Sequence, residues 1–179
     1  MSYDEREPLT ENRMEDPKKP WPPRFPPAPP GRDGRTLTEI EADDWGRPTF
    51  DSYLVQTCHA LRHKPLGTLT VEDLRILIGQ KVSVPVLMPL ALDRLEEDVL
   101  AEGDFFPGDL LKNVLQLDAS FWRAYPDYRR RALLLAKDAL VALESRARAA
   151  EPADAGERVD PGEVRDVIRA FLNSTEAAT

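Results

Sequence analysis

The sequence is poor in the residues that most often carry chemistry. It holds one cysteine, Cys58, and two histidines, His59 and His63. A lone thiol excludes an internal disulfide and any zinc centre built on several thiolates. It fits a reducing compartment, so the expected location is cytoplasmic. Glycine is scarce, 9 in 179 residues, and forms no phosphate-cradling loop. Long apolar runs are missing too. The longest, Val82 to Leu92, is interrupted by Ser83, Pro85 and Pro89 and is too short to span a bilayer. Met1 to Asp16 is polar and charged, so no signal peptide is expected. Basic residues are outnumbered, 24 Lys and Arg against 32 Asp and Glu, for a net charge of -8. Such a chain is a poor ligand for phosphate backbones and anionic membranes, so neither nucleic acid nor membrane is expected as a partner. A basic protein is favoured instead, because complementary charge steers association.

What the sequence does contain is proline, acid and helical periodicity. Nine of the 17 prolines fall in residues 1–35. Proline at that density fixes φ and removes amide donors, so this stretch reads as a disordered or polyproline-II arm, with Trp21 and Phe25 as possible docking anchors. Residues 36–150 read as one helical domain, and residues 151–179 as a linker followed by a C-terminal amphipathic helix. The fold class is all-α, a compact bundle of about six or seven helices, with no strand alternation and no repeat.

The stretch from Leu66 to Gln80 is the clearest element. Thr70 caps, Glu72 and Asp73 complement the helix dipole, Val71, Leu74, Leu77 and Ile78 share a face, and Gly79 supplies a left-handed stop. So short a helix needs neighbours. They are expected from Asp51 to Arg62, with Tyr53, Leu54, Thr57, Cys58 and Leu61 as its stripe, and from Val86 to Asp98, where Pro89 marks a start or a kink. Pro107 suits the first position of the next helix, and Leu110, Leu111, Val114 and Leu115 point inward. Asp118 caps a helix holding Phe121, Trp122 and Tyr125. Pro126 opens a long helix to about Ala149, with Leu133, Ala136, Leu140 and Leu143 as its main stripe. Asp160, Pro161 and Glu163 form a capping signature ahead of Val164, Val167, Ile168, Phe171 and Leu172, a face expected to dock on the domain.

Two constellations bear on function. His59 and His63 lie four apart and could ligate a metal, but Ala60 stands where a metalloprotease helix needs glutamate. The structural reading is a buried Cys58, a partly buried His59 bonded to backbone and a solvent-facing His63. The second constellation is acidic. Seven carboxylates (Asp93, Glu96, Glu97, Asp98, Glu102, Asp104 and Asp109) fall between residues 93 and 109, around Phe105 and Phe106. Their spacing does not match a calcium loop, and no cleft for paired-carboxylate hydrolysis is evident. They read either as solvated side chains beside core phenylalanines or as a protein-binding surface with an aromatic anchor. No catalytic, cofactor-binding or metal residue is expected.

The middle of the chain also resembles a known family. The segments carrying the likeness run in order: Trp45 to Tyr53, Thr57 to Leu66, Leu69 to Gln80, Pro89 to Leu92, Leu100 to Leu111, and Phe121 with Trp122. Together they resemble the small immunity proteins of contact-dependent growth inhibition (CDI) systems, over roughly residues 45–145. The resemblance implies an antitoxin, not an enzyme, that binds the toxic C-terminal domain of a cognate toxin, often a nuclease. It transfers no interface residue, since such families vary their binding surface. Two other readings stand beside it: a helical adaptor working through the proline-rich arm and last helix, and a metal-dependent enzyme centred on His59 and His63.

Overall fold

Five of the helices among the described residues are ten residues or shorter, and they depend on a shared core as well as on local start signals. The computed structural model describes residues 34–48, 52–149 and 161–176. The proline-rich arm and the linker therefore fall outside the described residues, apart from the arm's last two positions. The order is α1 (Leu37–Glu41), α2 (Tyr53–Arg62), a 3-10 turn (Leu66–Thr68), α3 (Val71–Gly79), α4 (Val84–Glu97), α5 (Asp109–Leu115), α6 (Ala119–Ala124), α7 (Pro126–Ala149) and α8 (Pro161–Glu176). Among the described residues there is no strand, and Glu102 and Pro107 make an isolated bridge. The architecture is all-α, as expected, with eight α-helices among the described residues because Leu37–Glu41 closes into a capped turn of its own.

The start signals act through hydrogen bonds. Thr36 and Glu39 cap α1 reciprocally, and Thr70 and Asp73 do the same for α3. The Asp118 carboxylate accepts the amides of Ser120 and Phe121 at 2.9 and 3.0 Å, opening α6.

The seven-residue α5 lies at the centre, packed by α3, α4, α7 and α8. Leu110, Leu111 and Val114 are fully buried within it. A helix this short cannot hold itself in water, so its order comes from that surround. The C-terminal helix docks as expected. Val164, Ile168 and Phe171 are buried, and Phe171 meets Trp122 edge to face at 5.2 Å.

Several sequence expectations shift. Gly79 is not a left-handed stop but the last residue of α3, and the positive φ falls on Lys81. The glycine is needed for space: a Cβ there would stand 2.7 Å from the Asn113 amide nitrogen, which donates to the Arg75 carbonyl at 2.9 Å. The α4 helix starts at Val84, two residues early, with Ser83 in the left-handed region and Pro85 in the first turn, where no amide is required. Pro89 lies inside it and removes one ladder bond, but the helix continues because Val84 to Met88, Ala91, Leu92 and Leu95 are all buried. Pro107 stays outside α5, whose N-cap is Gly108 at φ 88; a Cβ at Gly108 would press on Val164 and Leu100. Tyr53 and Leu54 face solvent rather than the core, and the buried face of α7 runs through Ala132, Leu135, Ala136, Ala139 and Leu143. Alternation of small and large side chains lets α7 approach its neighbours closely, and a search for leucines alone misses that stripe.

Arg62 is the least expected core residue, 2 % exposed at the end of α2. Its Nη1 donates to Glu41 and to the Ser83 hydroxyl, its Nη2 donates to the Asp43 carbonyl at 2.7 Å, and its guanidinium lies 4.2 Å from the Trp45 ring centre. One side chain thereby clamps the segment after α1 to α2 and to the start of α4. Arg62→Met is expected to destabilise the fold by about 3 kcal/mol, because it removes the donors of the half-buried Glu41 carboxylate, the Ser83 hydroxyl and the Asp43 carbonyl at once. A denaturation midpoint equal to wild type would contradict the clamp.

Candidate protein-binding site

The acidic segment leaves α4 and enters α5 through a loop whose backbone is held by side chains. Asp98 accepts the Leu100 amide at 3.0 Å and turns the chain. Beyond Glu102, three successive amides find carboxylates. Gly103 donates to Asp109 at 2.8 Å, Asp104 donates to Glu72 at 2.9 Å, and Phe105 donates to Asp109 at 3.3 Å. Asp109, in the first turn of α5, is 3 % exposed and lies with Oδ2 3.7 Å from Arg75 Nε. Glu72 and Arg75, one turn apart on α3, form a two-pronged pair at 2.6 Å on each prong. Arg75 also lies under the Phe105 ring, its guanidinium carbon 4.3 Å from the ring centre.

The result is a loop backbone braced from below. Phe105 projects from it 60 % exposed, with exposed Glu102 and Asp104 beside it in the chain. The Arg75 guanidinium, and less strongly the Asp104 amide, hold the Glu72 carboxyl below its ordinary range against the opposing effect of burial. Glu72 in turn raises Arg75.

The other residues singled out from sequence are distributed differently. Asp93 and Glu96 grip Arg131 of α7 at 2.6 and 2.7 Å, and that guanidinium lowers Glu96. Glu97 pairs with Arg94 at 3.1 Å. Glu97 and Asp98 are exposed. Phe106 is half-buried against the core, with the Lys112 ammonium 5.5 Å from its ring centre. Asp109 is turned wholly inward. Of the nine residues, then, Glu102 and Asp104 project their side chains to solvent beside Phe105, whose ring is exposed on one side and rests on Arg75 on the other, while Asp109 braces the loop. Sequence reading missed the brace itself. The i, i+3 spacing of Glu72 and Arg75 signalled a pair, but nothing local showed that the loop 30 residues later would land on it.

The histidine constellation takes its structural reading. Cys58 is buried, and burial pushes its thiol up. His59 Nδ1 lies 3.1 Å from the Gly46 carbonyl, which as an acceptor places the proton on that nitrogen. His63 is exposed, 3.7 Å from Asp44. Among the described residues no three His, Cys, Asp or Glu side chains converge on a metal-sized point.

A family model described as CDI immunity proteins matches residues 39–132, from α1 into the first turns of α7. The chain belongs to the CDI immunity protein family. No curated protein and no solved structure matches it. The matched span of this immunity protein contains the braced loop, both halves of its brace and the Arg62 clamp. Most of α7 and all of α8 lie beyond it. No described helix is long and apolar enough to cross a membrane.

Gly103 is the tightest point of the loop. A Cβ there would stand 2.4 Å from Glu72 Oε2, 3.0 Å from Asp109 Oδ2 and 3.2 Å from Arg75 Cδ. Those atoms cannot yield cheaply, because each is tied to another member of the brace. Gly103→Ala is expected to cost about 1–3 kcal/mol, the range for forced overpacking, read as a lower thermal midpoint. The brace also sets an acid limit. With the folded pKa of Glu72 depressed, its stabilisation is complete above the ordinary value of 4.5 and is lost as pH falls through the folded value. The stability gap between wild type and Glu72→Gln should therefore close on acidification below about 4.5, and a gap independent of pH there would contradict the assignment.

Proposed function

We propose that this immunity protein neutralises the toxic C-terminal domain of a cognate CDI toxin by binding it, in the cytoplasm of the cell that makes both. It acts by occlusion and performs no catalysis. The toxin domain it fits is basic, as a phosphate-binding nuclease would be. The acidic segment from Asp93 to Asp109 provides the contact surface, with Phe105 as its apolar anchor and Glu102 and Asp104 as the charges flanking it.

The observation that carries this reading is the state of Phe105. A large aromatic is left 60 % exposed on a loop in which the amides of Gly103, Asp104 and Phe105 are each bonded to a carboxylate side chain. An exposed aromatic on a pre-ordered backbone loses little entropy on binding, which is what a binding hot spot requires. Asp109 enters as a support rather than a contact, because its carboxylate is already consumed within the protein.

Co-expression with the toxin domain encoded beside it tests the proposal. Wild type should rescue growth and co-purify with the toxin. Phe105→Ala should weaken binding by about 2 kcal/mol, roughly 30-fold, the scale of a hot-spot truncation. Glu102→Lys with Asp104→Lys should slow association most at low salt. Failure of wild type to bind or rescue removes the antitoxin reading. Wild-type rescue with undiminished binding by both variants removes the interface alone.

A further inference from the structure

The long helix α7 carries a face that nothing in the described protein covers, and that face is complementary to itself. Leu134 is 61 % exposed and Val141 62 % exposed. They are seven residues apart, two turns of helix, so they stand on the same side. Single exposed leucines are ordinary on a surface. Two on one side of a long helix, two turns apart, form an apolar pair that a facing helix can cover, with charged side chains between them. Lys137 and Asp138 lie between them, and Asp127, which pairs with Arg130 at 3.3 Å, and Arg148 lie at the two ends of the same face, all exposed. Turn a second α7 antiparallel about the point midway between residues 137 and 138, and each of these side chains meets a suitable partner. Leu134 meets Val141 of the second copy, Lys137 meets Asp138, and Asp127 meets Arg148. The two-fold then generates every contact twice.

We propose that α7 is a self-association surface, and that two copies of this chain pair through it as antiparallel helices. Charge arrangement is the reason to name a second copy as the occupant. A parallel pairing in register would set Lys137 against Lys137 and Asp138 against Asp138, whereas the antiparallel one places opposite signs together at the centre and at both ends. It also opposes the two helix dipoles favourably. Most of the face, Leu134 to Arg148, lies beyond residue 132, where the family match ends, and only Asp127 lies within it. Self-association through it is thus a property of this chain's own C-terminal third, separate from the toxin-facing loop.

Sedimentation equilibrium of the full chain tests the pairing. The apparent mass should rise from the monomer value of 20.2 kDa towards twice that value as concentration increases. Lys137→Asp sets carboxylates against each other across the two-fold, and Asp138→Lys sets ammonium groups against each other. Each variant alone should self-associate at least about tenfold more weakly than wild type, since juxtaposed like charges cost several kcal/mol. An equimolar mixture of the two should pair again, because each then presents the sign that the other lacks. Both substitutions lie on exposed positions, and a thermal midpoint equal to wild type confirms that each variant is folded. A wild-type protein that stays monomeric at every accessible concentration overturns the proposal. So does a mixture that pairs no better than its components, which would leave the face to a different partner.

Discussion

The structure turns on one buried carboxylate. Asp109 sits at the first turn of the central helix with almost no exposure, accepting two loop amides and facing Arg75 of α3. Removing a charge from water is costly, and it is tolerated here because amide donors, a guanidinium and the positive end of α5 all converge on it. From the first turn of α5 the same group therefore orders the loop that precedes the helix and ties it to α3. Arg75 cannot be separated from this arrangement, since it answers Glu72 and Asp109 together and supports the Phe105 ring from below.

Around that point the rest of the fold is a set of mutual supports. The apolar side of α5 is closed by α3, α4, α7 and α8. Gly79 and Gly108 permit the approaches, one to Asn113 and the other to Val164. Lys112 reaches from α5 to Glu163 of α8, adding a polar tie beside the Phe171 contact. Arg62 plays a role like that of Asp109 with the sign reversed, a single buried ion drawing backbone and side-chain partners from three segments. The protein thus relies on two buried charges to orient helices that are too short to orient themselves.

Much of this was legible in the sequence. Thr70 and Asp118 announced their helices, Pro126 the longest one, and Val164, Ile168 and Phe171 the docking face of the last. These are local signals, and local chemistry decides them. The misreadings share a cause: tertiary contact outweighed a local rule. Gly79 has the right position for a stop but is used for clearance. Asp109 counts as one more acid in an acidic run until the loop folds back and buries it. Arg62 carried no sequence expectation, and only the fold brings Glu41, Asp43 and Trp45 around it. The family was recognisable for the reason that the fold was: its motifs are caps, turns and core positions held in order over α1 to α7.

The central claim is that Asp109, Glu72 and Arg75 hold the loop around Phe105 in place before any partner arrives. Residue-resolved amide hydrogen exchange on the free protein measures this directly, because the amides of Gly103, Asp104 and Phe105 are each bonded to a carboxylate. The account predicts that these three amides exchange slowly, as the helical amides of α5 do, and that Glu72→Gln speeds the exchange of Asp104 in particular. Exchange at unprotected rates in the wild-type protein would mean that the loop is not preformed and would contradict the account.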